Sequence, residues 1–182
     1  GQDGAKYKSF ETKEEATKAF EKGYEHYLKT ASSSKAAAGL TPKTPVGKPI
    51  WESLCVDAAC SGNPGNMEYR GVYPPTMQEI FRIGPLKKGT NNIGEFLALV
   101  HGLALLKQKG SSLPIYSDSR NAIGWVKKKK CKTLLERVPE NEPIFDMIER
   151  AEKWLKTNTY TTPILKWETS EWGEIPADFG RK

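Results

Sequence analysis

Histidine is nearly absent: His26 and His101 are the only two among 182 residues. Cysteine occurs three times, an odd number with no Cys-x-x-Cys spacing, which argues against both a disulfide scaffold and a zinc ribbon. With so few soft ligands, any bound metal must be held by carboxylates, and hard oxygen donors point to Mg²⁺ or Mn²⁺. No apolar run approaches the roughly 20 residues of a membrane-spanning helix, so no membrane association is expected. No signal-peptide pattern opens the chain, and a cytoplasmic location is the expectation. Neither a Ser–His–Asp nor a Cys–His set can be assembled, because Cys60 and Cys131 have only two histidines to draw on, both in helical stretches.

What is present is charge, with a basic excess. Lys and Arg number 28 and Asp and Glu 22, a net charge of +6 that suggests a polyanionic partner. Residues 1–50 carry 9 basic and 6 acidic side chains and residues 51–182 carry 19 and 16, so each part holds +3 and the excess is no mere tail.

Three regions follow from the pattern. In residues 1–29, Thr12 and Glu15 form a capping box, and the following KEEATKAFEKGYEHYLK reads as a helix with Ala16, Phe20 and Tyr24 on one face. Residues 30–49, rich in Ser, Ala, Gly and Pro, read as a linker. Residues 50–182 read as an α/β domain. Strands are expected over WESLCVDAAC, MEYRGVYP and MQEIFRIGPL, with turn chemistry at Gly62-Asn63-Pro64-Gly65 and spacing that implies antiparallel pairing. Asn91 to Gln108 has helical periodicity, LPIYSD is a short buried strand, and helices are expected over Ser119–Lys130 and Glu142–Thr157. PILKWET is a last strand, and a short helix near Pro176 ends the chain. The order βββαβααβα makes a mixed five-stranded sheet with helices on its faces.

Four acids sit where acids are awkward. Asp57 lies inside the first strand, where a charge is costly and no capping role exists. Asp118 ends an apolar strand, Glu95 lies one turn into an apolar helix, and Asp178 lies in GEIPADFG. Taken singly, each of these three reads as a cap or a solvated side chain. Together, four carboxylates near one sheet edge would repel one another unless divalent cations sat among them, and two Mg²⁺ roughly 4 Å apart are a common solution for displacement at phosphorus.

The segments VDAACSGNPG, TNNIGEFLAL, IYSDSRNAIGWV and WETSEWGEIPADFGRK appear in the order of the motifs of type 1 ribonuclease H. The match runs from about Trp51 to Lys182 and is most similar to a bacterial subgroup with a terminal WGEI-x-AD-[YF]-G segment. The resemblance implies the ribonuclease H-like fold and a two-metal endoribonuclease. Such an enzyme cuts the RNA strand of an RNA–DNA hybrid, leaving 5′-phosphate and 3′-hydroxyl ends. It carries over Asp57, Glu95, Asp118 and Asp178 as ligands of two Mg²⁺ (or Mn²⁺), with Asp57 bridging both. Many relatives have a histidine in the last segment; here none follows Trp167, and Glu174 is assigned a supporting role in metal exchange or product release. A helix-start acid favoured by the dipole is the plain alternative for Glu174.

The resemblance also suggests contacts to the hybrid. Asn63, Pro64 and Gly65 lie in the turn after Asp57, where backbone and side chain suit RNA sugars, although any hairpin has such a turn. Thr90, Asn91 and Asn92 precede the Glu95 helix; they serve as caps or as sugar and phosphate ligands, with Thr90 and Asn92 helping to hold a DNA phosphate. Thr133 is the expected partner of that phosphate pocket, where relatives have two adjacent hydroxyl residues and this chain has Thr133-Leu134. Trp125 aligns with an aromatic lining the DNA channel, though a helical Trp is more often core than platform. Residues 1–29 resemble the back end of a small hybrid-binding (viroplasmin-like) domain. The expected partner is therefore an RNA–DNA hybrid, with no protein partner and a monomeric state. Two rivals stand beside this reading: a strand-transferase or junction nuclease of the same superfamily, and a non-catalytic hybrid-binding module.

Overall fold

A computed structural model describes residues 47–180. The helix expected after Thr12, the hybrid-binding-like segment 1–29 and nearly all of the linker 30–49 lie outside the described residues. Five strands form one mixed sheet in the order β3-β2-β1-β4-β5: β1 (Leu54–Cys60), β2 (Gly65–Tyr73), β3 (Gln78–Gly89), β4 (Ile115–Ser117) and β5 (Ile164–Lys166). As expected from the short turns, β1–β2 and β2–β3 pair antiparallel, whereas β1–β4 and β4–β5, joined through helices, are parallel. Gly84 and Pro85 fall within β3, and a proline that cannot donate to the ladder is tolerated there because β3 is an edge strand with irregular register.

Among the described residues four α-helices accompany the sheet: α1 (Asn91–Gln108), α2 (Arg120–Lys127), α3 (Glu142–Thr157) and α4 (Thr169–Trp172). Among the described residues no helix is long and apolar enough to cross a membrane. Alternation along β1 divides the interior. Leu54, Val56 and Ala58 face α1 and join its buried Ile93, Phe96, Leu97 and Leu103 and the α3 residues Ile144, Ile148 and Leu155. Cys55 points the other way, into a second cluster with Val72, Tyr116, Trp167, Trp172, Ile175 and Ala177. That cluster is pinned by side-chain hydrogen bonds: Trp167 Nε1 donates to Gly173 O (2.9 Å), Trp172 Nε1 to Gly47 O (2.7 Å), and Ile50 N to Tyr116 Oη (2.9 Å). Each buried ring thus has its polar atom satisfied.

Several boundaries differ from the sequence expectation. The strands of residues 51–60, 113–118 and 163–169 are shorter than expected, because pairing begins only where Leu54 meets Ile115 and Ile164. The second helix stops at Lys127 rather than running through the lysines, with Lys128 as its cap and Lys129 at φ 57°, a left-handed residue typical of helix ends. The largest correction concerns the last helix. It occupies Thr169–Trp172, and Pro176 starts no helix: Ile175–Asp178 is a tight turn closed by Asp178 N donating to Ile175 O (2.8 Å). Proline's fixed φ serves the second position of such a turn as readily as the first position of a helix, so the residue alone did not decide between them.

Candidate active site

The central position of β1 places Asp57 in the middle of the sheet. Parallel pairing aligns Leu54 with Ile115 and Cys55 with Tyr116, and the same register carried three residues on sets Asp57 beside Asp118, just beyond the end of β4. Glu95 reaches them from α1. Thr90 caps that helix, its Oγ1 accepting from Ile93 N (3.3 Å), and Gly94 lets the first turn lie directly on β1, where a Cβ would stand 2.7 Å from that of Ala58. Glu95 Oε1 then accepts from Ala58 N (3.2 Å), a strand donor spent on the helix rather than on the ladder.

The result is a close set of oxygens. Asp57, Glu95 and Asp118 each offer one ligand atom within 4.8 Å of the others. Asp57 and Glu95 are buried, at 5% and 2% exposure, while Asp118 is half-exposed. Glu95 Oε2 is buried with no hydrogen-bond partner among the described residues. Burial, followed by the neighbouring Asp118 and Asp178 carboxylates, pushes the Asp57 carboxyl up to about 6 against the partial relief of its hydrogen bonds to Glu95 and Ala58. Burial first, then contact with Asp57 and the charge of Asp118, holds Glu95 well above the usual carboxylate range. Buried like charges in oxygen-only company, with no basic side chain among the causes that shift them, fit a hard divalent cation. An open cleft of about 640 Å³ gives access, lined by the four acids together with Ser61, Asn91, Ser119 and Phe179.

Asp178 lies on the cleft wall but outside the 4.8 Å set. Its place on the 175–178 turn, half-exposed, comes from the packing of Ile175 and Ala177 into the second cluster. Its Oδ2 accepts from Gly180 N (2.9 Å). Glu174 sits at the entry to that turn, half-buried, and does not line the cleft.

The other expected contact residues divide. Asn63 and Pro64 are exposed in the β1–β2 turn, and Gly65 begins β2. Asn91 and Asn92 are exposed at the start of α1, with Asn91 on the cleft wall. Thr133 lies in the loop after α2, its Oγ1 accepting from Leu135 N (3.1 Å), and the neighbouring Leu134 is fully exposed. Trp125 is half-buried with its ring edge-on to Phe96 (6.3 Å), so it is partly core. The loop carrying Thr133 is tied to the end of β3 by the buried Asn141, whose Nδ2 donates to Glu136 O (2.9 Å) and Lys88 O (3.2 Å). Sequence reasoning missed Ser119, which caps α2 and lines the cleft, and Phe179; a serine directly after a strand-end acid and before an apolar-periodic stretch was a legible cap.

The family model described as RNase H matches residues 52–166. A curated Ribonuclease H of Rhodopirellula baltica is 41% identical over 75 residues, covering 40% of this chain and 46% of that protein, so the matched stretch spans about half of that relative's length. A Ribonuclease H of Rickettsia bellii is 31% identical over 137 residues, covering 69% of this chain and 83% of its own length. A solved RNase H1 isolated from compost matches with a TM-score of 0.41 at 15% identity, covering 66% of this chain and 88% of that one. With the family match extending from the approach to β1 through to the end of β5, and three of the four clustered acids falling inside it, the chain belongs to the RNase H family.

Proposed function

We propose that this protein is a type 1 ribonuclease H that hydrolyses the RNA strand of RNA–DNA hybrids. It would act with two Mg²⁺, or Mn²⁺ in their place, and leave 5′-phosphate and 3′-hydroxyl ends. One observation carries the reading: three carboxylate oxygens from separate elements, two of them buried, stand within 4.8 Å of one another at the floor of an open cleft. Such a cluster destabilises the fold unless cations neutralise it, which is the expected cost of a site kept for chemistry. Bound there, a pair of divalent cations supplies charge neutralisation at the phosphorus and an activated water.

The chain's own groups do the rest. Asp57, central in the sheet, would hold the ions together with Glu95, Asp118 and, from the cleft wall, Asp178. Ala58 N–H fixes Glu95 through Oε1 and leaves Oε2 for an ion. Asn91 on the cleft wall supports a reading of RNA sugars beside the cut, and Asn63, Pro64 and Gly65, in the turn that follows the Asp57 strand, are proposed to share it. Thr90 and Asn92, at the start of α1, and Thr133, in the loop that Asn141 joins to the end of β3, support a DNA-phosphate contact, with Trp125 beside the duplex. Glu174, one turn before Asp178, is proposed to assist product release. The WGEI-PADFG ending supports membership of the bacterial subgroup named above, and residues 1–29 are proposed to be part of a hybrid-binding module joined by the 30–49 linker.

A labelled hybrid with Mg²⁺ tests this. The expected result is cutting of the RNA strand, with single-stranded RNA and duplex DNA left intact. Retention of the hybrid without cutting would instead make the chain a binding module.

A further inference from the structure

The fourth acid differs from the others in having neither strand nor helix to place it, so something else must. On β2, Arg70 is the direct cross-strand partner of Asp57 and therefore shares its face of the sheet, the face on which the 175–178 turn packs. Its guanidinium grips the main chain of that turn: Nε donates to Ala177 O (2.7 Å) and Nη2 to Asp178 O (2.5 Å). Two forked donors on successive carbonyls fix both the position and the orientation of a peptide, which a lysine cannot reproduce. The next residue completes the clamp. The Phe179 ring lies 4.9 Å from the Arg70 guanidinium carbon and 5.2 Å from that of Arg82, which is paired with Arg70 across β2 and β3. Glu79 bridges the two arginines, at 3.2 Å from Arg70 and 3.7 Å from Arg82, which offsets their mutual repulsion.

We infer that Arg70 is a positioning residue for Asp178, and that with Phe179 held between Arg70 and Arg82 it sets where the fourth carboxylate stands relative to the ion site. The inference rests on the metal-dependent reading above. An arginine holding a buried turn for stability alone would need no relation to the acids. Here it opposes Asp57 in register, grips the carbonyl of Asp178 itself, and stacks on a ring that lines the same cleft. The clamp acts through carbonyls, so it leaves the Asp178 carboxylate free to accept from Gly180 N and to face the cleft.

The test is a double-mutant cycle on the full chain, read by calorimetric titration with Mn²⁺ as well as by hybrid cutting. Arg70→Ala is expected to weaken Mn²⁺ binding about tenfold in the native background and less than twofold when Asp178 is already Asn, because the clamp has then lost the group it serves. Arg70→Lys should recover only part of the loss. Phe179→Leu, which keeps the backbone and removes the ring, should lose less than Arg70→Ala and in the same direction, and it supplies the measurement if Arg70→Ala does not fold. Arg150→Ala, on the exposed face of α3, should change nothing. Mn²⁺ binding unaltered in the Arg70 and Phe179 variants, or an Arg70→Ala loss of equal size in the Asp178→Asn background, overturns the clamp. A native chain that neither binds Mn²⁺ nor cuts the hybrid overturns the metal-dependent reading itself, and the two failures are told apart by the native protein alone.

Discussion

Asp57 and Glu95 sit on the central strand and the longest helix, while Asp118 and Asp178 sit just past a strand end and on a turn. The first pair is buried and its placement is built into the backbone: a middle strand on one side, a helix pressed onto that strand at Gly94 on the other. The second pair is half-exposed and depends on what surrounds the chain at that point. One site therefore contains two kinds of positioning. The rigid pair bears the electrostatic penalty, because burial raises both of its carboxyls. The exposed pair is the more adjustable at its carboxylates, its main chain being held by the strand end before Asp118 and by Arg70 at Asp178.

The largest effect should come from the rigid pair. Asp57→Asn preserves shape but removes the charge shared by both proposed ions, and hybrid cutting is expected to fall by about a thousandfold or more, with retention of the hybrid largely kept. A variant that still cuts at a comparable rate would remove Asp57 from the site.

Glu95→Gln should lose cutting to a similar degree and reveal the penalty directly. The amide keeps an oxygen for Ala58 N and places donors next to Asp57, so the protein in chelator is expected to gain about 1–2 kcal/mol near pH 7.5. The sign of its pH dependence follows from the raised carboxyls. Folded Asp57 and Glu95 hold protons more tightly than the unfolded chain does. Their favourable contribution is thus complete below the ordinary carboxylate range and is lost as pH rises through the folded values, near 6 for Asp57. The stability advantage of Glu95→Gln over the native chain should accordingly shrink between pH 7.5 and pH 5. Parallel melting curves with no pH-dependent gap would show that the pair carries no strain.

The sequence revealed the four acids unequally. Asp57 stood out because an acid inside an apolar strand has no local explanation, whereas Glu95, one turn into an apolar helix, read singly as a cap or a solvated side chain and became a candidate through its company and the resemblance. The mixed five-stranded sheet, the order of elements along the chain and the three longer helices followed from periodicity and turn chemistry. Asp118 and Asp178 became candidates only through company and resemblance, since an acid at a strand end or in a turn is ordinary. The 175–178 turn was read as a helix because Pro176 suits either. Arg70 carried no signal at all: its significance lies in being opposite Asp57, and register between strands is a property of pairing, which one-dimensional pattern does not contain.

Gly94→Ala probes the rigid side at smaller scale. A methyl 2.7 Å from Ala58 Cβ must push α1 off β1, and buried neighbours on both sides leave little room to relax. A stability loss of about 1–3 kcal/mol is expected, with a drop in cutting larger than the stability loss explains, because Glu95 moves with the helix. Measuring activity well below the melting temperature separates the two contributions.

The smallest expected effect belongs to the adjustable side. Gly180 has φ 68° and donates to Asp178 Oδ2, and no heavy atom stands within 4 Å of where its Cβ would be. Gly180→Ala thus meets backbone strain but no steric block, and the strain, about 1 kcal/mol, can be relieved by giving up the hydrogen bond. If Arg70 and Phe179 hold the turn, Asp178 should stay in place: cutting should fall only a fewfold, and recover as Mn²⁺ is raised. A collapse of activity as deep as that of Asp57→Asn would mean that the turn's own hydrogen bond, rather than the arginine across the sheet, decides where the fourth carboxylate stands, and the contrast between a rigid and an adjustable pair would have to be drawn at Gly180 instead.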